Sequence, residues 1–298
     1  MDAITRDLQQ PVPWTLLYAD DVMLACEDKD DLERRTCPWT LLYADDVMLA
    51  CEEKDDLERQ VQASWRLARF GLNLNVKKTE YLTTDVNESG SIKSNGTELA
   101  RTSLFKYLGS AIASDGGLMV EVNSRVSAAW SKWRSLTAML CDRKIPEHLK
   151  SKIYRAFVRP VAMYGAECWP ATKEVETRLS VMKTKMLRWT TGVTRMDRIR
   201  NDAIRQKFGG APIANKMREA RLRWYGHVLR GKEDSVRKIG LELEVSGKRP
   251  RGRPEQRWSD TLHTDAKTAG VHLDQAQDRE RWRRNTRRAD PATMRDKR

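Results

Sequence analysis

The alternation of apolar and polar positions changes character several times along the chain. Trp39-Thr40-Leu41-Leu42-Tyr43 and Val47-Met48-Leu49-Ala50-Cys51 are short apolar runs on either side of Ala44-Asp45-Asp46. Runs of that length with a small polar break read as a buried β-hairpin with the acids at its tip. Leu57, Val61, Trp65 and Ala68 then recur every three or four residues, which predicts a helix ending near Gly71. Asn87–Gly96 is rich in turn formers and separates Tyr81-Leu82 from Ile92 and from Phe105–Leu108, the pattern of a short antiparallel excursion. Beyond Gly116-Gly117 helical spacing takes over, in Val122, Val126, Trp130, Trp133, Leu136 and Leu140, in Leu149, Ile153 and Phe157, and in Val175, Leu179, Met182 and Met186. Pro212 at a start and Gly231 past an end bracket a further helix over Ile213–Arg230. From Lys232 onward the pattern fades into a basic stretch with Gly and Pro at 247–254 and a polar tail around Trp258 and Trp282, where only partial order is expected.

The hairpin signature occurs twice. Pro13–Arg34 and Pro38–Arg59 differ at one of 22 aligned positions, Asp28 against Glu53, and each copy carries a Tyr-Ala-Asp-Asp box, Tyr18–Asp21 and Tyr43–Asp46. Identity that close marks a copied segment of 25 residues and not a repeating fold. In the first copy Asp30–Arg35 runs into Cys37-Pro38, and the residue before a proline is pushed away from helical torsions. Only the second copy feeds a full helix.

Charge is placed unevenly. Residues 1–60 hold 16 acids and 6 bases, which leaves 26 acids and 49 bases for the rest, net −10 followed by net +23. A basic body of this kind is the electrostatic footprint of a protein that holds phosphate backbones, with a merely soluble basic protein as the plain alternative. Five cysteines, an odd number without a Cys-x-x-Cys pair, point to a reducing compartment and away from a disulfide framework or zinc finger. His148, His227, His263 and His272 lie far apart, with no metal-ligand spacing. No apolar run approaches the roughly 20 residues that span a bilayer, and Met1–Gln10 lacks the apolar stretch of a signal peptide. The expectation is a soluble intracellular protein, nuclear or cytoplasmic, with no membrane partner. Trp130 and Trp133 sit on an amphipathic face and read as core, whereas Trp258 and Trp282, among arginines, are open to either core or base-stacking roles.

Two adjacent carboxylates at the tip of a buried hairpin are costly unless a cation compensates them. Mg²⁺ takes oxygen ligands of this kind, and two such ions about 3.5–4 Å apart can activate a hydroxyl nucleophile and stabilise a leaving pyrophosphate. The alternative is an ordinary acidic turn. Asp30-Asp31 and Asp55-Asp56 are better read as solvated helix-terminus acids, and placement between apolar strands is what sets Asp45-Asp46 apart. Separately, Arg249-Pro250-Arg251-Gly252-Arg253-Pro254 has the pattern of an AT-hook. Proline keeps such a segment extended, and Arg249, Arg251 and Arg253 could lie in a narrow A·T minor groove or serve as a non-specific phosphate-binding tail.

Taken in order, these motifs resemble the reverse transcriptase of non-LTR (LINE-type) retrotransposons. The carriers are Leu41–Val47 with its Tyr-Ala-Asp-Asp box, Phe70-Gly71-Leu72-Asn73-Leu74-Asn75-Val76-Lys77-Lys78-Thr79-Glu80, Phe105-Lys106-Tyr107-Leu108-Gly109, and the C-terminal pair Arg223–His227 and Gly252–Pro254 with Arg257-Trp258. The resemblance implies an α+β chain: a helix remnant and duplicated hairpin over 1–37, the C-terminal part of a polymerase palm over 38–118, a mostly helical thumb-like module over 119–231 and a basic, partly disordered nucleic-acid-binding tail over 232–298. It implies catalytic roles for Asp45, Asp46 and Lys78, with Asp45 and Asp46 at Mg²⁺ and Lys78 near the incoming phosphates, and a primer grip at Phe105, Lys106, Tyr107, Leu108 and Gly109. Its implied partners are an RNA template and a DNA primer, besides A·T-rich DNA for the hook. An active palm also needs an earlier strand with a further aspartate, and only 12 residues precede the first repeat. The expectation is therefore a truncated RNA-directed DNA polymerase, inactive alone, with a non-catalytic nucleic-acid-binding protein as the alternative.

Overall fold

The computed structural model describes residues 15–18, 21–24, 39–43, 46–51, 54–64, 75–84, 90–232, 236–242 and 256–287. The chain is α+β and divides into two compact units, Met1–Val120 and Glu121–Arg298.

The first unit is built from small two-stranded pieces. β1 (Thr15–Tyr18) pairs antiparallel with β2 (Asp21–Leu24), and β3 (Trp39–Tyr43) pairs in the same way with β4 (Asp46–Ala50). Both copies of the repeat therefore form hairpins, with Tyr18 opposite Asp21 in the first and Tyr43 opposite Asp46 in the second. Helix α1 (Lys54–Ser64) follows, as the spacing of Leu57 and Val61 requires; the expected continuation towards Gly71 lies outside the described residues. Of the two acids in its first turn, Asp55 is exposed as expected, but Asp56 is buried and neutralised by Arg59 one turn on.

The turn-rich stretch yields two kinds of pairing. Asn95-Gly96, at φ of 48° and 80°, closes an antiparallel hairpin of β6 (Lys93–Ser94) and β7 (Thr97–Glu98). The positive torsions are those a tight hairpin needs, and Asn-Gly supplies them at least cost. β5 (Glu80–Tyr81), however, pairs parallel with β8 (Ala100–Arg101), so the excursion returns along β5 and is only partly antiparallel. A last hairpin joins β9 (Leu104–Tyr107) to β10 (Ser110–Ala113). Val61, Tyr81, Ile92 and Leu99 are buried together, with Leu49, Leu57 and Val76 packed around them, and this small core ties β4, α1 and the β5 region into one body. Cys51, just after β4, is disulfide-bonded, while Cys141 and Cys168 are free thiols. The expectation of reduced cysteines throughout fails at Cys51, because an odd count and missing Cys-x-x-Cys spacing do not exclude a bond between cysteines far apart in sequence.

The second unit is helical. It runs through α2 (Met119–Ser135), α3 (Thr137–Leu140), α4 (Glu147–Ile153), α5 (Arg159–Ala162), α6 (Lys173–Thr191), α7 (Asn201–Phe208) and α8 (Ile213–Leu229). Between α4 and α5 the residues Tyr154–Val158 wind as a π-helix; Pro160, which has no N–H to donate, lies in the first turn of α5. Val122, Trp133, Leu140, Val175, Leu179, Met182 and Met186 are buried as their spacing predicts, but Leu149 and Phe157 are exposed, and Tyr154 and Val158 are the residues buried from that stretch. Trp133 is core, and Trp130 is half-buried against it, edge to face at 5.5 Å. Gly192, at φ 66°, ends α6 in the left-handed conformation that a helix C-terminus favours.

The tail departs from expectation. After α9 (Val236–Glu242), residues 256–287 form α10 (Trp258–Ala269), a 3₁₀ turn (Leu273–Gln277) and α11 (Arg279–Thr286). Leu262, Ala266, Val271, Ala276 and Trp282 make a buried cluster with Leu222 of α8. The indole N–H of Trp282 donates to the Leu222 carbonyl at 2.7 Å, and that of Trp258 donates to the Glu167 carbonyl at 2.8 Å. Both tryptophans are thus packing residues. Each tail helix shows few apolar positions, so its period was hidden; what orders it is the face of α8 that it covers. The segment that carries the hook arginines, Arg249, Arg251 and Arg253, lies outside the described residues.

Candidate functional site

The site residues expected from the sequence fall on three elements of the first unit. Asp46 is the first residue of β4, and Asp45 lies outside the described residues, in the two-residue link between Tyr43 and Asp46. The hairpin itself is what the apolar flanks predicted, and the expected acid pair falls partly outside the described residues. The same geometry recurs in the first copy, where Tyr18 faces Asp21.

Lys78 sits at the end of a turn. Its N–H donates to the Asn75 carbonyl at 2.9 Å, and the same carbonyl accepts from the Thr79 N–H at 3.0 Å and the Thr79 hydroxyl at 2.9 Å. Lys77 and Lys78 are both exposed beside half-buried Val76. Because Val76 and Leu49 join the same cluster, the strand that starts at Asp46 and the turn that ends at Lys78 are anchored on one small core. That is the extent to which these two expected residues are brought together.

Phe105, Lys106 and Tyr107 lie on β9, where period-2 alternation leaves Lys106 exposed and Phe105 and Tyr107 half-buried. Leu108 and Gly109 form the tip, at φ of 47° and 80°. Glycine accepts that torsion readily, but a bulky residue such as Leu108 adopts it rarely, so the tip holds a strained leucine. Leu108 and Ile112 are exposed, at 37% and 43%. The hairpin thus presents apolar side chains and one lysine to solvent. It forms a sheet of its own, separate from β3–β4.

The Mg²⁺ that the resemblance implies can be tested against the donors. Among the described residues no group of three or more His, Cys, Asp or Glu side chains could hold a metal ion, and no third strand pairs with β3–β4 to bring a further aspartate beside Asp46. The described donor set does not fit a two-ion centre, and no catalytic step follows from it.

A second group of cations lies on the helical unit, and of its members the sequence motifs above include only Arg223 and His227. Arg223, His227 and Arg230 on α8, and Arg279 and Arg283 on α11, line one cavity. The signal was present as i, i+4 and i, i+7 spacing of bases in two segments, one of them dismissed as tail.

Compared with known proteins, the chain matches no family profile, no curated sequence and no solved structure. No described helix is long and apolar enough to cross a membrane.

Proposed function

We propose that this chain is a remnant of a LINE-type reverse transcriptase, an RNA-directed DNA polymerase by descent, that does not synthesise DNA by itself. The observation that supports the reading most is the second hairpin: β3 and β4 pair with Tyr43 opposite Asp46, and the helix and strands that follow share the core that Leu49 joins. The order of motifs supports it as well, from the acid pair through Lys78 and Phe105–Gly109 to a helical unit that would act as the thumb. Positioning and electrostatics supply most of phosphoryl-transfer catalysis, so a carboxylate pair with no partner aspartate among the described residues would leave the chemistry without its metal scaffold. The Mg²⁺, the RNA template and the DNA primer belong to the ancestral activity, and the compartment would be the nucleus or cytoplasm.

Primer extension with Mg²⁺ on an RNA template tests the claim of inactivity. No template-dependent product is expected. DNA synthesis that disappears in Asp45→Ala would overturn it and make the chain a working polymerase.

A second reading, nucleic-acid binding without chemistry, is favoured by the excess of bases beyond residue 60 and by the hook sequence Arg249–Pro254.

A further inference from the structure

An open cavity of about 550 Å³ lies on the helical unit between α8 and α11. Arg223, His227 and Arg230 are spaced i, i+4 and i+7 along α8, so they share a face, and Arg279 and Arg283 are spaced i, i+4 along α11. Four guanidinium groups and an imidazole therefore line one concave surface, with Trp282 in its wall.

Acidic residues do not gather these cations. Among the described residues the one ion pair made by any of the four arginines is Arg223 with Glu219, at 3.5 Å, and Glu219 is held closer by Lys216, at 2.9 Å. The nearby Asp278 is occupied as the cap of α11, where it accepts from the Arg281 N–H at 3.0 Å. Core packing brings the cations together instead. Trp282 is 2% exposed and donates to the Leu222 carbonyl, which seats α11 on α8 at the position where Gly226 leaves room for the indole. Arg230 donates to the Ala276 carbonyl, which fixes its head group at the cavity's edge. Burial first, and the charge of Arg279 second, press the pKa of Arg230 down. The cluster is thus a set of like charges held together against their own repulsion.

We propose that this pocket is a phosphate-binding site. Guanidinium forks match phosphoryl oxygens in paired hydrogen bonds, and four of them exceed what a single carboxylate would neutralise. Phosphates carried in series suit the arrangement, either on a nucleic-acid backbone or in a free polyphosphate. The nucleic-acid reading of the chain bears only on which of these two supplies the phosphate.

The full-length protein would be titrated with a 20-nucleotide single-stranded RNA of mixed sequence and, separately, with pyrophosphate. The parent is compared with Arg279→Gln/Arg283→Gln, with Arg223→Gln on the opposite wall, and with the control pair Arg195→Gln/Arg198→Gln, exposed bases elsewhere on the unit. Thermal melts of all four proteins show that the comparison is between folded chains. The α11 pair is expected to lose about tenfold or more in RNA affinity, with a salt slope shallower by about 1.4, the value for two phosphate contacts on a single strand. Arg223→Gln should move in the same direction by a smaller amount. A loss of RNA binding beyond that of the control pair supports the site with backbone phosphates. A loss confined to pyrophosphate supports it with a free polyphosphate. Unchanged binding of both probes, or losses no larger than the control's, would sink the proposal.

Discussion

Gly226 shows how one missing atom sets the local structure. It lies inside α8, where glycine costs about 1 kcal/mol relative to alanine. A Cβ there would stand 2.6 Å from Nε1 and 2.7 Å from Cδ1 of Trp282, and 2.9 Å from a guanidinium nitrogen of Arg230. The indole cannot retreat without giving up its hydrogen bond to Leu222. Gly226→Ala should therefore destabilise the helical unit by about 1–3 kcal/mol despite the gain in helix propensity. Urea denaturation followed by circular dichroism reads this directly, and a stabilised variant would refute it. The sequence shows a glycine within an apolar helical period and gives no reason for it, since the cause lies more than fifty positions away at Trp282.

At the scale of elements, α8 is clamped to α10 by charge as well as by apolar contact. Asp265 of α10 accepts from Arg221 at 2.6 Å and from Arg218 at 3.1 Å. The side chains of Arg221 and Asp265 are 0% and 4% exposed, and two guanidinium nitrogens of Arg221 have no hydrogen-bond partner. Removing the carboxylate would leave a buried, uncompensated cation, so Asp265→Ala should cost about 3–5 kcal/mol. A midpoint shift of that size is expected in the melt, whereas the paired replacement Arg221→Met/Asp265→Leu should restore most of it. If the double variant is as unstable as the single one, the charge account is wrong.

These elements also mark where the sequence was legible. The hairpins at Tyr43–Asp46 and Asn95-Gly96, and the helices with Val122–Leu140, Val175–Met186 and Ile213–Leu229, follow from local period and turn chemistry. Helix α7 went unread, and α10 and α11 were expected as tail, because short helices with mostly polar faces draw their order from a partner surface. At the candidate site the pairing of the strands that flank Asp45-Asp46 was legible, and the turn that exposes Lys78 was not. The cavity on α8 and α11 was not, because no local pattern states which two basic stripes will face each other.

Over the whole molecule, the acidic first 60 residues and the basic remainder make a strongly polarised chain. Binding to duplex DNA should weaken steeply with salt, by about a thousandfold between 50 and 200 mM if six phosphates are engaged. A preference for A·T-rich over G·C-rich duplex that is lost in Arg251→Ala/Arg253→Ala would assign the hook to the minor groove, and equal binding to both duplexes would assign it to phosphates alone. No measurable binding at moderate salt would remove the second functional reading altogether. The bond between Trp282 and Leu222, which spans 60 positions, has a consequence for synthesis on the ribosome. At about 5–20 residues per second, roughly 3–12 s separate the addition of Leu222 from that of Trp282. For that interval the side of α8 around Leu222 lacks the cover of α11, a natural target for chaperones. The two arginine stripes meet only after α11 has been made, so a nascent chain that has not yet reached Arg283 carries half of the cationic cavity.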